Sequence, residues 1–157
     1  MTDARFQDGG EAAISLKAES AADLGVISAL VQDAVLGVAE IRYDRRARVL
    51  ALLINRFRWE DAQAAARMGR PYERARSILA IGGITALRHQ GIARDSDTVL
   101  SLMALDWEGG AEGAGRIVLT FAGDGALAAE VECLDVTLRD VTRPYLAPSG
   151  QAPQHPD

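Results

Sequence analysis

Few side chains in this sequence are of the types that carry out covalent or metal chemistry, and their spacing disposes of most of them. The histidines are His89 and His155, and the single cysteine is Cys133. A zinc site needs several nitrogen and sulfur ligands at close spacing, and neither histidine has a second ligand near it in the chain. A Ser-His-Asp arrangement would have to use His89, and no Gly-x-Ser-x-Gly elbow exists to present the serine. Cys133 lies in an apolar alternation with no neighbouring base to lower its pKa, so it reads as a small hydrophobe. Glu130 and Glu132 share one strand face and read as a solvated stripe. The glycine clusters "IGG" and "AGDG" lack the strand-loop-helix setting of a phosphate cradle. No catalytic, metal-binding or cofactor-binding residue is nominated, and no cofactor is expected.

Arginine is the remaining chemistry. The chain has sixteen arginines and one lysine, Lys17, within a formal net charge of −5. Between Arg42 and Arg76 stand ten arginines against four acids, a local charge of +6. A three-residue turn in "VAEIRYDRRARVLALLINRF" would set Arg42 opposite Arg48, a destabilising pair of like charges. Either that turn is longer or an anion neutralises the pair. Arg45 and Arg46 project from its tip. The connector "RMGRPYERARS" adds Arg67, Arg70, Arg74 and Arg76, with Tyr72 among them. Guanidinium forks bind phosphate or carboxylate in two-pronged fashion, and a tyrosine ring stacks on bases or guanidinium groups. Arg42, Arg45, Arg46, Arg48, Arg74, Arg76 and Tyr72 are therefore the candidates for binding an anion or a partner. The competing reading is a solvated, internally paired surface in which Glu60, Asp61 and Glu73 neutralise several of these arginines.

These residues need elements to hold them. "AISLKAES" reads as a strand with Ile14 and Leu16 on one face. Ser20 is a helix cap with Asp23 at the third position, and Ile27, Leu30, Val31, Ala34 and Val35 form a helical stripe that Gly37 ends. Strands follow in "VAEIRY" and "ARVLALLINRF", the second apolar on both faces and so central in a sheet. The run "RARSILAIGGITALRHQGI" must kink, bulge or admit another backbone at Gly82 and Gly83. "TVLSLMALDWE" is a further strand, and "GRIVLTFAGDGALAAEVECLDV" is a hairpin with its positive-φ turn at Asp124-Gly125. In "EVECLDVTLRD" the alternation changes phase, which a bulge or a short helix from Leu134 would explain; the bulge is preferred. Both tryptophans are expected to be largely inside.

The expected fold is α+β: a mainly antiparallel, curved or barrel-like sheet of about seven strands with one amphipathic helix near the N-terminus. Residues 13–145 form one domain, between a flexible tail at 1–12 and a disordered tail at 146–157 rich in proline and glycine. No run of about 18 apolar residues is present, so no membrane contact is expected. The start of the chain has no apolar signal core, and a lone cysteine suits a reducing compartment, so a cytoplasmic location is expected.

The segments "DLGVISALVQDAVL", "LALLINRFRWE", "PYERARS", "LRHQGI" and "GALAAEVECLDVTLRD", in that order, resemble the bacterial domain of unknown function 2948 family. The resemblance spans about residues 13–142. It implies a small, single-domain cytoplasmic protein without an assigned activity, and it transfers no site residues. The expected function is a non-catalytic binding or regulatory module whose partner is another protein or a second copy. The alternatives are an anion, phosphate-metabolite or nucleic-acid binder using the arginine surface, and an enzyme with an unrecognised site.

Overall fold

A computed structural model describes residues 13–147 and 152–153. The tail expected over 1–12 lies outside the described residues, as do all but four residues of the one expected from 146 onward. In chain order the elements are β1 (Ser15–Ala18), α1 (Ala21–Leu30), β2 (Ala34–Gly37), a 3-10 turn (Val38–Glu40), β3 (Ile41–Asp44) and β4 (Val49–Phe57). Then come α2 (Trp59–Met68), β5 (Glu73–Ile81), β6 (Ile84–Gln90), β7 (Val99–Gly109), β8 (Gly115–Phe121), β9 (Ala126–Val131), β10 (Val136–Asp140) and β11 (Tyr145–Leu146).

The antiparallel α+β character is as expected, but among the described residues the sheet has eleven strands and the α-helices number two, against about seven and one. Each extra strand has a physical origin. The run through Gly82-Gly83 breaks into β5 and β6, with Gly83 at φ 69° turning the chain where a side chain would be strained. The phase change after Val131 is neither a bulge nor a helix: β9 ends there and β10 starts at Val136. The stretch assigned to the end of the first helix is a strand instead. Asp33 adopts φ 65°, a left-handed conformation that no α-helix continues through, so α1 stops at Leu30 and Ala34–Gly37 pairs with β7. Short β11, beside β5, completes the count.

Ser20 does cap α1, its hydroxyl accepting the Asp23 N–H at 3.2 Å. The second helix, of which the sequence reading places only the last two residues in a connector, buries little: Asp61 and Ala65. Its ends are nonetheless marked. Glu60 and Asp61 stand in the first turn and Arg67 in the last, each on the side the helix dipole favours. Gly69 at φ 66° closes it, and the Arg70 N–H returns to the Ala65 carbonyl at 2.8 Å.

The strands pair in the order β1-β10-β5-β4-β2-β7-β8-β9-β6, with β3 beside β4 and β11 beside β5 off that path, and the sheet does not close. β5 is third in this order and β6 last, yet two residues join them, so the sheet must curl back on itself. The concave side holds one core of Leu50, Leu52, Ile54, Leu79, Ile81, Leu102, Leu119, Phe121, Leu138 and their neighbours. α1 contributes Leu24 and Ile27 to it and packs against β7 and β1. Trp59 and Trp107 are both partly buried, and Trp107 packs against the core. The β8–β9 turn places its positive φ on Gly123 (84°) and Asp124 (73°), one residue earlier than expected.

Candidate binding surfaces and a buried arginine network

The sheet register separates the candidate arginines into distinct places. The β3–β4 turn is longer than three residues: Arg42 sits opposite Ala51 and Asp44 opposite Val49. Arg48, at φ 59°, belongs to the turn, so the repulsive pair never forms. Arg48 instead makes a two-pronged bond to Glu132 at 2.9 and 3.0 Å. That hydrogen bond, with the attraction between the charges, raises the Arg48 pKa and lowers that of Glu132. Arg45 and Arg46 are exposed at the tip, where the Asp44 carboxylate accepts the backbone N–H groups of Arg46 and Ala47.

On β5, Arg76 is exposed and Arg74 half-buried. Arg74 is committed to Asn55, with Nε on its side-chain oxygen at 2.8 Å and NH2 on its carbonyl at 3.0 Å. Burial lowers the Arg74 pKa against the opposing pull of Tyr145 and Asp33. Tyr72 packs its ring on Phe57, centroids 5.6 Å apart, next to the edge-on Phe57–Trp59 contact. The structure thus brings Arg45, Arg46 and Arg48 together at one hairpin tip and sets Arg42 and Arg76 on a different sheet face. Arg74 and Tyr72 are part of local packing.

Two arginines that sequence reasoning passed over, Arg56 and Arg58, are among the largest fully buried side chains of the described residues. Arg56 and Arg58 are 0% and 1% exposed. Arg56 points inward from β4 and uses all five of its donors. Its Nε reaches Ser77 Oγ (3.2 Å) and Asp140 Oδ1 (3.0 Å). NH1 reaches Glu60 Oε1 (2.9 Å) and the Phe57 carbonyl (3.4 Å), and NH2 reaches Glu60 Oε2 (2.8 Å) and Asp140 Oδ2 (3.0 Å). Asp140 also accepts from Ser77 Oγ at 2.6 Å and from the Ile14 N–H at 2.9 Å. Burial alone would lower the Arg56 pKa, but bonds to Glu60 and Asp140 outweigh it and the net shift is upward. Burial likewise opposes ionisation of Asp140, and the bonds from Arg56, Ser77 and Ile14 prevail, so its pKa is depressed.

Arg58 extends the cluster. It bonds Glu73 through NH1, lies 3.5 Å from Glu60 and 3.7 Å from Asp61, and its N–H donates to the Glu73 carbonyl at 3.0 Å. Asp61 in turn takes a two-pronged bond from Arg70 at 3.1 and 3.2 Å. The acids expected to pair with arginines do so here. They belong to α2 and β5, and they fasten α2 to β4, β5 and β10. The sequence signal was present but weak: Arg56 occupies an inward position of a strand otherwise filled by Leu50, Leu52 and Ile54.

A family model described as "Protein of unknown function (DUF2948)" matches residues 14–155. The chain belongs to that family. No curated protein and no solved structure matches it. Among the described residues, no group of three or more His, Cys, Asp or Glu side chains is placed to hold a metal ion, and no helix is long and apolar enough to cross a membrane. Like the sequence, membership in DUF2948 supplies no site residues, so the functional reading rests on the surfaces of this chain.

Proposed function

We propose that this member of DUF2948 is a non-catalytic binding module that docks an acidic segment of another protein on the outer face of β3, β4, β5, β10 and β1. The register lays out that face in rows. Arg42, Ala51, Ala80, Thr137 and Lys17 are successive neighbours across five strands. The next row runs Leu53, Ile78, Arg139 and Ser15, and the one after holds Asn55 and Arg76. Small and aliphatic side chains thus occupy the centre, and cations occupy the rim. A shallow groove of about 200 Å³ continues the face past Arg76 to Val35 and Val99, with Glu40 at its side.

The observation that carries the reading is that three unmatched arginines stand beside small and aliphatic side chains on this one face. The interior arginines are matched to carboxylates, whereas Arg42, Arg76 and Arg139 make no side-chain hydrogen bond or ion pair among the described residues. A cationic rim on a net-negative chain steers acidic partners and repels the same rim on a second copy. The aliphatic centre favours a protein over a nucleic acid, which binds best where aromatic rings offer stacking platforms.

Binding of a polyglutamate peptide and of a single-stranded oligonucleotide, compared at about 50 and 200 mM salt, tests this. The peptide is expected to bind at low salt and to be lost when Arg42, Arg76 and Arg139 are all changed to glutamate. Tighter binding of the oligonucleotide, lost in the same triple variant, would transfer the face to nucleic acid. No binding of either probe would overturn the reading.

A further inference from the structure

Two strand edges of this open sheet face each other without pairing. β6 is bonded along its length only to β9, and β3 only to β4. One backbone bond, from the Ile84 N–H to the Arg48 carbonyl at 3.1 Å, ties the hairpin tip to the start of β6. Beyond it lie two hollows. The first, about 570 Å³, has Tyr43, Arg45 and Arg48 on one side and Ile84, Ala86 and Leu87 on the other. The second, about 290 Å³, sets Val38 and Ile41 against Leu87, His89 and Ile92. Val38, Ile41, Tyr43, Leu87 and Ile92 all pack on the core while remaining only partly covered. The cleft therefore has an apolar floor and, for walls, two strands with unpaired outer edges.

The strand directions define what fits. From β3 through β4, β2, β7, β8 and β9 to β6, each step is antiparallel. Six reversals leave β3 and β6 running the same way, so one extended segment lying between them can be antiparallel to both. Such a segment places alternate side chains on the floor and takes up edge N–H and C=O groups. Each end of the cleft has a cation: Arg45 at one, beside an Arg48 already paired with Glu132, and at the other Arg94, whose NH2 lies 3.3 Å from His89 Nε2. A second copy added edge to edge on β6 in antiparallel fashion would oppose these cations to one another.

We infer that this cleft is a strand-addition site for an extended partner segment of about five or six residues, apolar and acidic by turns. The apolar residues enter between Ile41, Leu87 and Ile92, and the acids meet Arg45 and Arg94. The other free edge, β1, is managed differently: it is four residues long, carries Lys17 and packs against α1. β6 is longer and lacks such a cover. This site is separate from the outer face of β5 and β10 and does not depend on it.

The test is a titration of the ¹⁵N-labelled full chain with a synthetic alternating valine–glutamate heptapeptide, and with its valine–lysine counterpart. The glutamate peptide is expected to shift and protect amides of 84–90 and 41–44, and to bind about ten-fold more tightly than the lysine peptide. Reversing Arg45 and Arg94 together to glutamate, both exposed and so harmless to folding, should invert that preference. Leu87→Asp should abolish binding of either peptide. The inference is overturned by unperturbed β6 amides at millimolar peptide, by protection confined to β1 or to the outer face, or by a concentration-dependent dimer that protects the same amides without peptide.

Discussion

Arg56 and Arg139 lie on neighbouring parts of the same sheet yet live in opposite surroundings. Arg56 faces the concave side from β4, where every donor meets an oxygen and both carboxylates hold it two-pronged or nearly so. Arg139, one residue before Asp140 on β10, faces the other way and is exposed. Strand alternation alone separates them, since consecutive side chains leave opposite faces. The difference teaches that arginine count is a poor guide to binding surfaces in this chain. Part of the basic cluster in the sequence is interior structure, and only what remains outside is available to a partner.

The sharpest break in this contrast is Asp140→Ala, which takes from the buried Arg56 guanidinium the more deeply buried of its two carboxylates and leaves Glu60 alone to balance it. Removing one member of a buried pair costs about 3–5 kcal/mol, so chemical denaturation should show a large loss of stability or no folded protein. Ser77→Ala is milder, about 1–3 kcal/mol, because it deletes one hydroxyl that serves both Arg56 and Asp140.

Acid should act on the same network. The folded Asp140 pKa is depressed below an unfolded value near ~3.9. Its contribution is therefore whole above the unfolded value and lost as pH falls through the folded one. The stability gap between the native chain and Asp140→Asn should close below about pH 4. A gap that stayed constant to pH 2 would mean that Asp140 is not held ionised by Arg56.

On the outside the effects shrink. Glu132→Gln removes the partner of Arg48 in an exposed pair, and the denaturation midpoint should stay within measurement error, because water and salt already screen such pairs. Arg42→Glu and Arg139→Glu should likewise leave stability unchanged while altering salt-dependent capture of acidic peptides. A large loss of stability from either would mean that the outer face is structural and that the contrast with Arg56 is false.

Much of this architecture could be read from local pattern. The Ser20 cap, the β3–β4 and β8–β9 hairpins and the break at Gly82-Gly83 all follow from turn chemistry and alternation, which act over a few residues. What escaped depends on distant partners. Ala34 and Val35 fit a helical stripe equally well, and pairing with Leu102 and Ser101 decided for strand. α2 is the more amphipathic of the two helices but polar on average, whereas α1 is apolar nearly all round, and α2 is held by charged contacts with β4 and β5. Arg56 looked like one more arginine because Asp140 is 84 positions away. The cleft between β3 and β6 was invisible for the same reason: it is a property of the order in which strands neighbour each other.

That separation also has a cost during synthesis. Arg56 leaves the ribosome 84 residues ahead of Asp140, an interval of roughly 4–17 s at typical elongation rates of ~5–20 residues per second. Asp140 must then reach back 126 residues to the Ile14 N–H. Until β10 emerges, Glu60 is the one carboxylate of the two that Arg56 can meet, and the Ser77 hydroxyl also waits for its acceptor. The buried network is therefore completed only once β10 has been made.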